Sequence, residues 1–327
     1  MTFKIGRNGQ PAFSSSPFGT DVARWLERYP TLPLPGSGDT LGRWRVLADI
    51  AAEDVCLAKL LEAHYDAQAI LAELGAPPVG TGELWGVWAA EPPTDTVEFE
   101  LREGGGALNG IKSWCSGASW LTHALVTARQ GEQRVLVAVA LDASVTRDDS
   151  GWQAVGMQRI ATAQVRFGNT PAVQVGMPGQ YVERPGFWHG GAGIAACWFG
   201  AGRAIAERLR QDRRAIADPH AAAHLGAIDM QLGGLVALLR QVAGQIDTHP
   251  ELAHRRDVLQ LRAAAEAAAR DTVDRCGRAL GAGPLCSERE HAQRCADLLT
   301  FIRQHHAERD LQALAQLVAE EEVAWTL

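Results

Sequence analysis

Ala107-Leu108-Asn109-Gly110-Ile111-Lys112-Ser113-Trp114-Cys115-Ser116-Gly117-Ala118 is the stretch on which the reading of this 327-residue chain turns. An Asn-Gly pair stands between two strand-like runs. Both residues tolerate positive φ, which predicts a tight hairpin turn at Asn109-Gly110. The second strand carries Trp114 and, two residues on, Ser116. Residues two apart on a strand point to one face. That face offers a flat aromatic surface beside a hydroxyl, which suits a planar heteroaromatic ligand. The plainer reading of each residue alone is structural: a buried strand Trp with its N–H satisfied, and a packed Ser.

The periodicity around this stretch changes twice. Residues 1–40 are rich in Pro, Gly and Ser and read as loop, with a short helix at Asp21–Tyr29. From Leu41 to Leu74 apolar residues recur at three and four, predicting two helices with a break near His64–Asp66 and a stop at Gly75 and Pro77-Pro78. From Glu83 short Val-, Trp- and Phe-rich segments predict strands at Leu84–Trp88, Val97–Leu101, Gly106–Cys115, Ala124–Ala128, Val135–Leu141, Gln153–Val155 and Ala163–Phe167. Such a region of about 100 residues reads as a barrel or sandwich. From Gly186 Ala-rich helical segments (194–214, 220–248, 258–280, 288–304 and 311–325) predict a packed bundle. The expected fold class is α+β: a shortened N-terminal helical domain over 1–82, a middle β domain over 83–185 and a C-terminal helical bundle over 186–327.

Composition narrows the function. Hydrophobic residues make up 46% and charged residues 21%, as in a globular protein. A net charge of −7 argues against a general nucleic-acid partner. The six cysteines form no C-x-x-C pair, and no Cys/His cluster has zinc spacing, so no metal is expected. The start of the chain lacks an apolar leader segment, and no run of about 18 apolar residues predicts a membrane span. Reduced thiols in the cytoplasm are the expectation. Gly190-Gly191-Ala192-Gly193 reads as a Gly-rich helix start, because no strand-turn-helix unit with a ribose-binding acid surrounds it. His305-His306 are adjacent helix positions pointing about 100° apart, a poor pair for one ion. Leu298, Phe301, Ile302 and His305 share a stripe, which turns His305 inward. Leu311, Leu314 and Val318 are out of phase with it, which predicts a kink near 306–310.

Several segments together resemble the acyl-CoA dehydrogenase superfamily. Trp88-Ala89-Ala90-Glu91-Pro92 is similar to its first β strand, which offers backbone groups to the flavin. Leu108–Ser116 is similar to its L-N-G-x-K-x-[WF]-x-[ST] segment, whose aromatic residue packs near the isoalloxazine and whose hydroxyl hydrogen-bonds near N5. Gly156-Met157-Gln158-Arg159 with Ala163–Phe167 matches its G-x-R…V-x-F pair. Leu280-Gly281-Ala282-Gly283 resembles the turn approaching the flavin pyrophosphate, and Arg294–Asp297 its R-x-x-D helix. The resemblance runs from about residue 41 to the end.

It implies a flavin-dependent oxidoreductase using FAD or FMN, acting on an acyl thioester or related small substrate such as an acyl-CoA. The implied cofactor-binding residues are Trp88, Ala90, Glu91, Trp114, Ser116, Gly281 and Gly283. Where the usual members carry a Glu-Gly-Thr base segment, counting eight residues from Asp297 gives His305, His306 and Ala307. His305 is therefore the first candidate base and Glu308, one turn on, the second. A His in that place is more like the flavin-dependent monooxygenases of the superfamily, which is one alternative. A degenerate, non-catalytic acyl- or flavin-binding protein is another, because the segment that clasps the adenine has no clean counterpart. A homodimer or homotetramer is expected from the family and from Leu317, Val318, Val323 and Trp325 near the terminus.

Overall fold

The computed structural model describes residues 16–93, 97–320 and 325. Its first helix starts inside the predicted loop. Ser16 caps it by accepting the Gly19 N–H at 3.1 Å, and Pro17 supplies a preset φ, so α1 runs Pro17–Arg28. The next helical stretch breaks at Asp54 rather than at His64–Asp66. There α2 (Thr40–Glu53) ends in extended backbone, and Asp54 Oδ1 accepts the Leu57 N–H at 2.9 Å to begin α3 (Val55–Glu73). An Asp able to cap a new helix decides the boundary.

Seven strands follow among the described residues: β1 (Trp85–Trp88), β2 (Val97–Arg102), β3 (Gly105–Ser116), β4 (His123–Gln130), β5 (Gln133–Ala140), β6 (Val145–Asp148) and β7 (Thr162–Val175). β4 lies parallel to β1 and β2 and antiparallel to β5. β3 bridges β2 to β7, and β7 returns to β5, so the sheet closes into a barrel with β6 beside β7. Closure leaves few unpaired edges.

The hairpin turn is not at Asn109-Gly110. Arg102 pairs with Gly105, so Glu103-Gly104 make the two-residue turn, with Gly104 at φ +79. Asn109 and Gly110 lie inside β3, opposite Glu98 and Val97. Gly110, at φ +116, accompanies a register shift against β7, where Asn109 Oδ1 accepts the Asn169 N–H at 2.7 Å. Gln153–Val155, expected as a strand, is loop, and β6 takes its place as an additional strand.

The remaining elements are helical: α4 (Gln180–Glu183), α5 (Pro185–Arg210), α6 (Arg214–Ala217), α7 (Pro219–Thr248), α8 (Arg255–Leu280), α9 (Ala282–Ser287), α10 (Arg289–Phe301), a 3₁₀ turn (Ile302–Gln304) and α11 (Glu308–Ala319). Gly190–Gly193 lie within α5, which instead starts at Pro185. α7 is long and apolar enough to cross a membrane by length and composition alone; 17% of its most apolar window is buried. Its C-terminal end is tied to α2, because Asp247 accepts the Thr40 N–H and hydroxyl. α11 is amphipathic and buries none of its residues.

The described residues form two compact units. One comprises 16–32, Lys59–Gln153 and Gln158–Phe187; the other comprises Pro33–Ala58, Ala154–Met157 and the chain from Trp188. In the first, Ala67, Ile70 and Leu71 of α3 pack on Trp85, Leu125, Leu136 and Val175 of the barrel. In the second, Trp44, Leu47 and Ile50 of α2, Trp198 of α5 and Phe301 of α10 are buried. Gly156 lets its loop meet α10: a Cβ there would lie 2.1 Å from the Ala296 carbonyl oxygen.

His64 sits in the first unit at 3% exposure, its Nδ1 accepting the Trp85 N–H at 3.2 Å. Burial lowers its pKa from 6.5 to about 4, against the pull of Glu83. Across that interval the unfolded chain binds more protons than the folded one. Stability therefore falls as pH falls from about 6.5 towards 4, by about 3 kcal/mol in all. Denaturant melts at neutral pH and near pH 4 should show this loss shrinking in His64→Gln. Identical pH slopes in the two proteins would contradict it.

Candidate active site

β3 carries the first cluster. Lys112 pairs with Val165 and Cys115 with Ala163, so Ser113 and Trp114 together face the single residue between them on β7. This is a β-bulge, with one extra residue on β3. Trp114 holds the extra position at φ +61. For a bulky aromatic residue that conformation is an outlier costing about 1–2 kcal/mol. The ring is 60% exposed and not buried in the barrel. The expected sharing of one face by Trp114 and Ser116 rests on unbroken alternation, which the bulge interrupts.

Ser116 ends the strand. Its Oγ lies 3.1 Å from Thr162 Oγ1, and its carbonyl accepts the Trp88 Nε1–H at 3.2 Å. Trp88 is buried and ties β1 to the end of β3 through that bond. Ala90 and Glu91 lie beyond β1 in a cleft of about 130 Å³ with Lys112, Thr127, Arg129 and Arg134. Glu91 pairs with Arg134 at 3.0 Å, and Lys112 Nζ donates to the Thr127 carbonyl and hydroxyl at 3.0 and 2.8 Å. The structure thus joins Trp88 to Ser116 by a hydrogen bond, places Trp114 two residues earlier on the same strand, and sets Ala90 and Glu91 in a separate cleft of the barrel.

The second unit holds the other candidates. His305 follows the 3₁₀ turn, buried as the Leu298–Phe301–Ile302 stripe predicts. The helix breaks there as expected: His305 is extended and Ala307 has φ +48 before α11 begins. His305 Nδ1 accepts the Ala307 N–H at 3.1 Å, while Nε2 is buried without a hydrogen-bond partner among the described residues. Trp198 lies edge-on at 6.4 Å between ring centroids, with the Arg262 guanidinium 5.1 Å from the Trp198 ring. Arg262 donates to the carbonyls of Gly191 and Gln304. Burial lowers the His305 pKa; Asp310 and Glu266 oppose this, and Arg262 and His306 add to it. Glu308 is exposed in the first turn of α11, so the inward loop expected for it does not occur. Gly281, at φ +70, caps the end of α8, Gly283 lies in the first turn of α9, and both are exposed. Sequence reasoning did not find Thr162, Arg262, Trp198 or Asp310; none stands in a motif of its own. Val323 lies outside the described residues, while Trp325 is exposed.

No protein-family model and no curated protein sequence matches this chain. Solved structures do. The FMN-bound dibenzothiophene monooxygenase TdsC from Paenibacillus sp. A11-2 superposes with a TM-score of 0.72 at 19% identity, over 85% of this chain and 83% of that one. Butyryl-CoA dehydrogenase from Megasphaera elsdenii gives 0.76 at 16% identity, over 86% and 83%. A glutaryl-CoA dehydrogenase from Mycobacterium smegmatis in complex with FADH2 gives 0.76 at 14% identity, over 94% and 91%. The helices, the closed sheet and the terminal bundle of this chain therefore form an acyl-CoA dehydrogenase-like fold.

Proposed function

We propose that this chain is a flavin-dependent oxidoreductase that binds FAD or FMN against the bulge of β3. The observation that carries this reading is Trp114: an exposed aromatic ring held at a strained φ by the strand that also ends in Ser116. The residues present fit the group. Trp114 gives an exposed stacking face, and the end of the same strand supplies the Ser116 hydroxyl, 3.1 Å from that of Thr162, for hydrogen bonding. When bound, a flavin supplies two-electron redox chemistry that no side chain of this protein can supply.

The substrate is a small molecule, either an acyl thioester such as an acyl-CoA or another small acceptor. His305 is the proposed catalytic side chain, its ring held neutral near pH 7 by burial. Glu308 remains the second candidate and would have to turn inward from its exposed position. The monooxygenase reading is favoured by one observation, the histidine standing where the dehydrogenases carry a carboxylate base. In functional terms 83–185 would carry the stacking cluster, 186–327 the histidine and 1–82 the shortened helical wall.

Titrating purified protein with FAD and with FMN tests the reading, with flavin fluorescence as the signal. Saturable binding at micromolar concentration is expected for at least one of them. Free flavin fluorescence at every ratio would defeat it.

A homodimer or homotetramer is proposed from Met230 of α7, 70% exposed, and from the half-buried Leu317 and Val318 of α11. Sedimentation showing monomer alone would contradict that. The six thiols outside disulfides support a cytoplasmic location, which fractionation of the source cells tests.

A further inference from the structure

The hydrogen bonding of His305 determines which of its two nitrogens bears the proton. A backbone N–H can only donate, so the 3.1 Å contact from the Ala307 N–H requires a lone pair on His305 Nδ1. A neutral imidazole has one ring proton, which must then sit on Nε2. Asp310 supports the same assignment: its Oδ2 lies 3.9 Å from Nε2, too far to accept a hydrogen bond but attractive to a proton there. That carboxylate is itself held in place, accepting the His306 N–H at 3.1 Å. The turn that aims the Ala307 N–H at the ring places a non-glycine residue at φ +48. Such a conformation costs about 1 kcal/mol or more and persists only where its surroundings enforce it. Nε2 is buried and has no hydrogen-bond partner among the described residues. A buried donor without a partner is costly unless a ligand completes it.

We propose that His305 acts through Nε2–H as a hydrogen-bond donor to an acceptor oxygen of the bound ligand, and not as a base. The charged and titratable groups around the ring are Asp310, Glu266, Arg262 and His306, and burial outweighs them in keeping it neutral. In that state Nε2 has no lone pair with which to take a proton from carbon, and Nδ1 is occupied by Ala307. The chemistry this ring suits is the stabilisation of negative charge gathering on oxygen, as in a carbonyl becoming an oxyanion. Removal of the acidic α-proton of an acyl thioester is then not the work of His305. The identity of the ligand rests on the flavoprotein reading; the protonation pattern of the ring does not.

The experiment is nitrogen-15 NMR of the unliganded protein with labelled histidine. At neutral pH the His305 ring should show a protonated Nε2 and an unprotonated Nδ1. Its signals are those lost in His305→Gln or, if that variant does not fold, those that shift in Asp310→Asn. A ring protonated on Nδ1, or on both nitrogens at neutral pH, overturns the proposal. The second arm measures oxygen consumption with supplied reduced FMN. A Gln side chain places an amide donor where Nε2–H was, so His305→Gln should stay within about 10-fold of the parent, while His305→Leu falls about 100-fold. Equal losses in the two variants overturn it. Failure of the protein to take up flavin removes the flavoprotein reading but leaves the NMR result to decide the protonation pattern.

Discussion

Asp297→Ala is expected to lower stability by about 4 kcal/mol, enough to unfold a large fraction of a marginal protein at physiological temperature. The side chain is 1% exposed on α10. Its Oδ1 accepts the Met157 N–H and, at 2.7 Å, the Gln293 amide; Oδ2 lies 3.7 Å from the Cys56 thiol. Three separate chain segments of the second unit therefore meet on one carboxylate. Met157 has φ +61, so the bond to its N–H also holds a strained residue in place. Truncation leaves that buried N–H without a partner and opens a hole beside α10. An asparagine side chain would still offer one oxygen to Met157, so Asp297→Asn should lose about half as much. Chemical denaturation of the three proteins measures this. Loss of less than about 1 kcal/mol in the Ala variant, or equal losses in both, would show that the contacts do not anchor the loop.

The second large effect has two opposite signs. Trp114→Gly should raise the stability of the unliganded protein by about 1 kcal/mol and weaken flavin binding about 100-fold. Glycine accepts φ +61 without a Cβ clash, and a ring that is 60% exposed contributes little burial. The lost stacking face costs affinity of the size seen for aromatic rings stacked on planar bases, about 1–3 kcal/mol each. Trp114→Phe should keep much of the binding and all of the strain. Thermal melts paired with fluorescence titrations provide both readouts. A less stable glycine variant would mean the ring is a packing residue, and unchanged affinity would remove Trp114 from the site.

The sequence was legible where one physical signal dominated. Long apolar periodicity located α3, α7 and α8, and short Val-rich runs located most of the barrel strands. It failed where a residue had two uses. Asn109-Gly110 carries the strongest hairpin signal in the chain, yet the turn falls at Glu103-Gly104, because both pairs end in a glycine at positive φ and only strand pairing chooses between them. Asp54 reads as an ordinary helix residue until its side chain is seen to cap α3. The prediction that His305 faces inward came from its stripe. Its protonation could not come from any pattern, because it depends on the N–H of Ala307, whose side chain carries no chemistry. Trp114 was found by motif, but the bulge that exposes it arises from pairing with β7.

The distribution of sulfur has a practical consequence. Cys286 is the exposed cysteine, three residues past Gly283, while the other five are buried. Burial pushes the Cys276 thiol up to about 12 and the Cys295 thiol up to about 11, which withholds their reactive form. A maleimide dye should therefore attach to the native protein at a single position, supplying a reporter beside the glycine turn without engineering, and the silent thiols would start to react only as the fold opens.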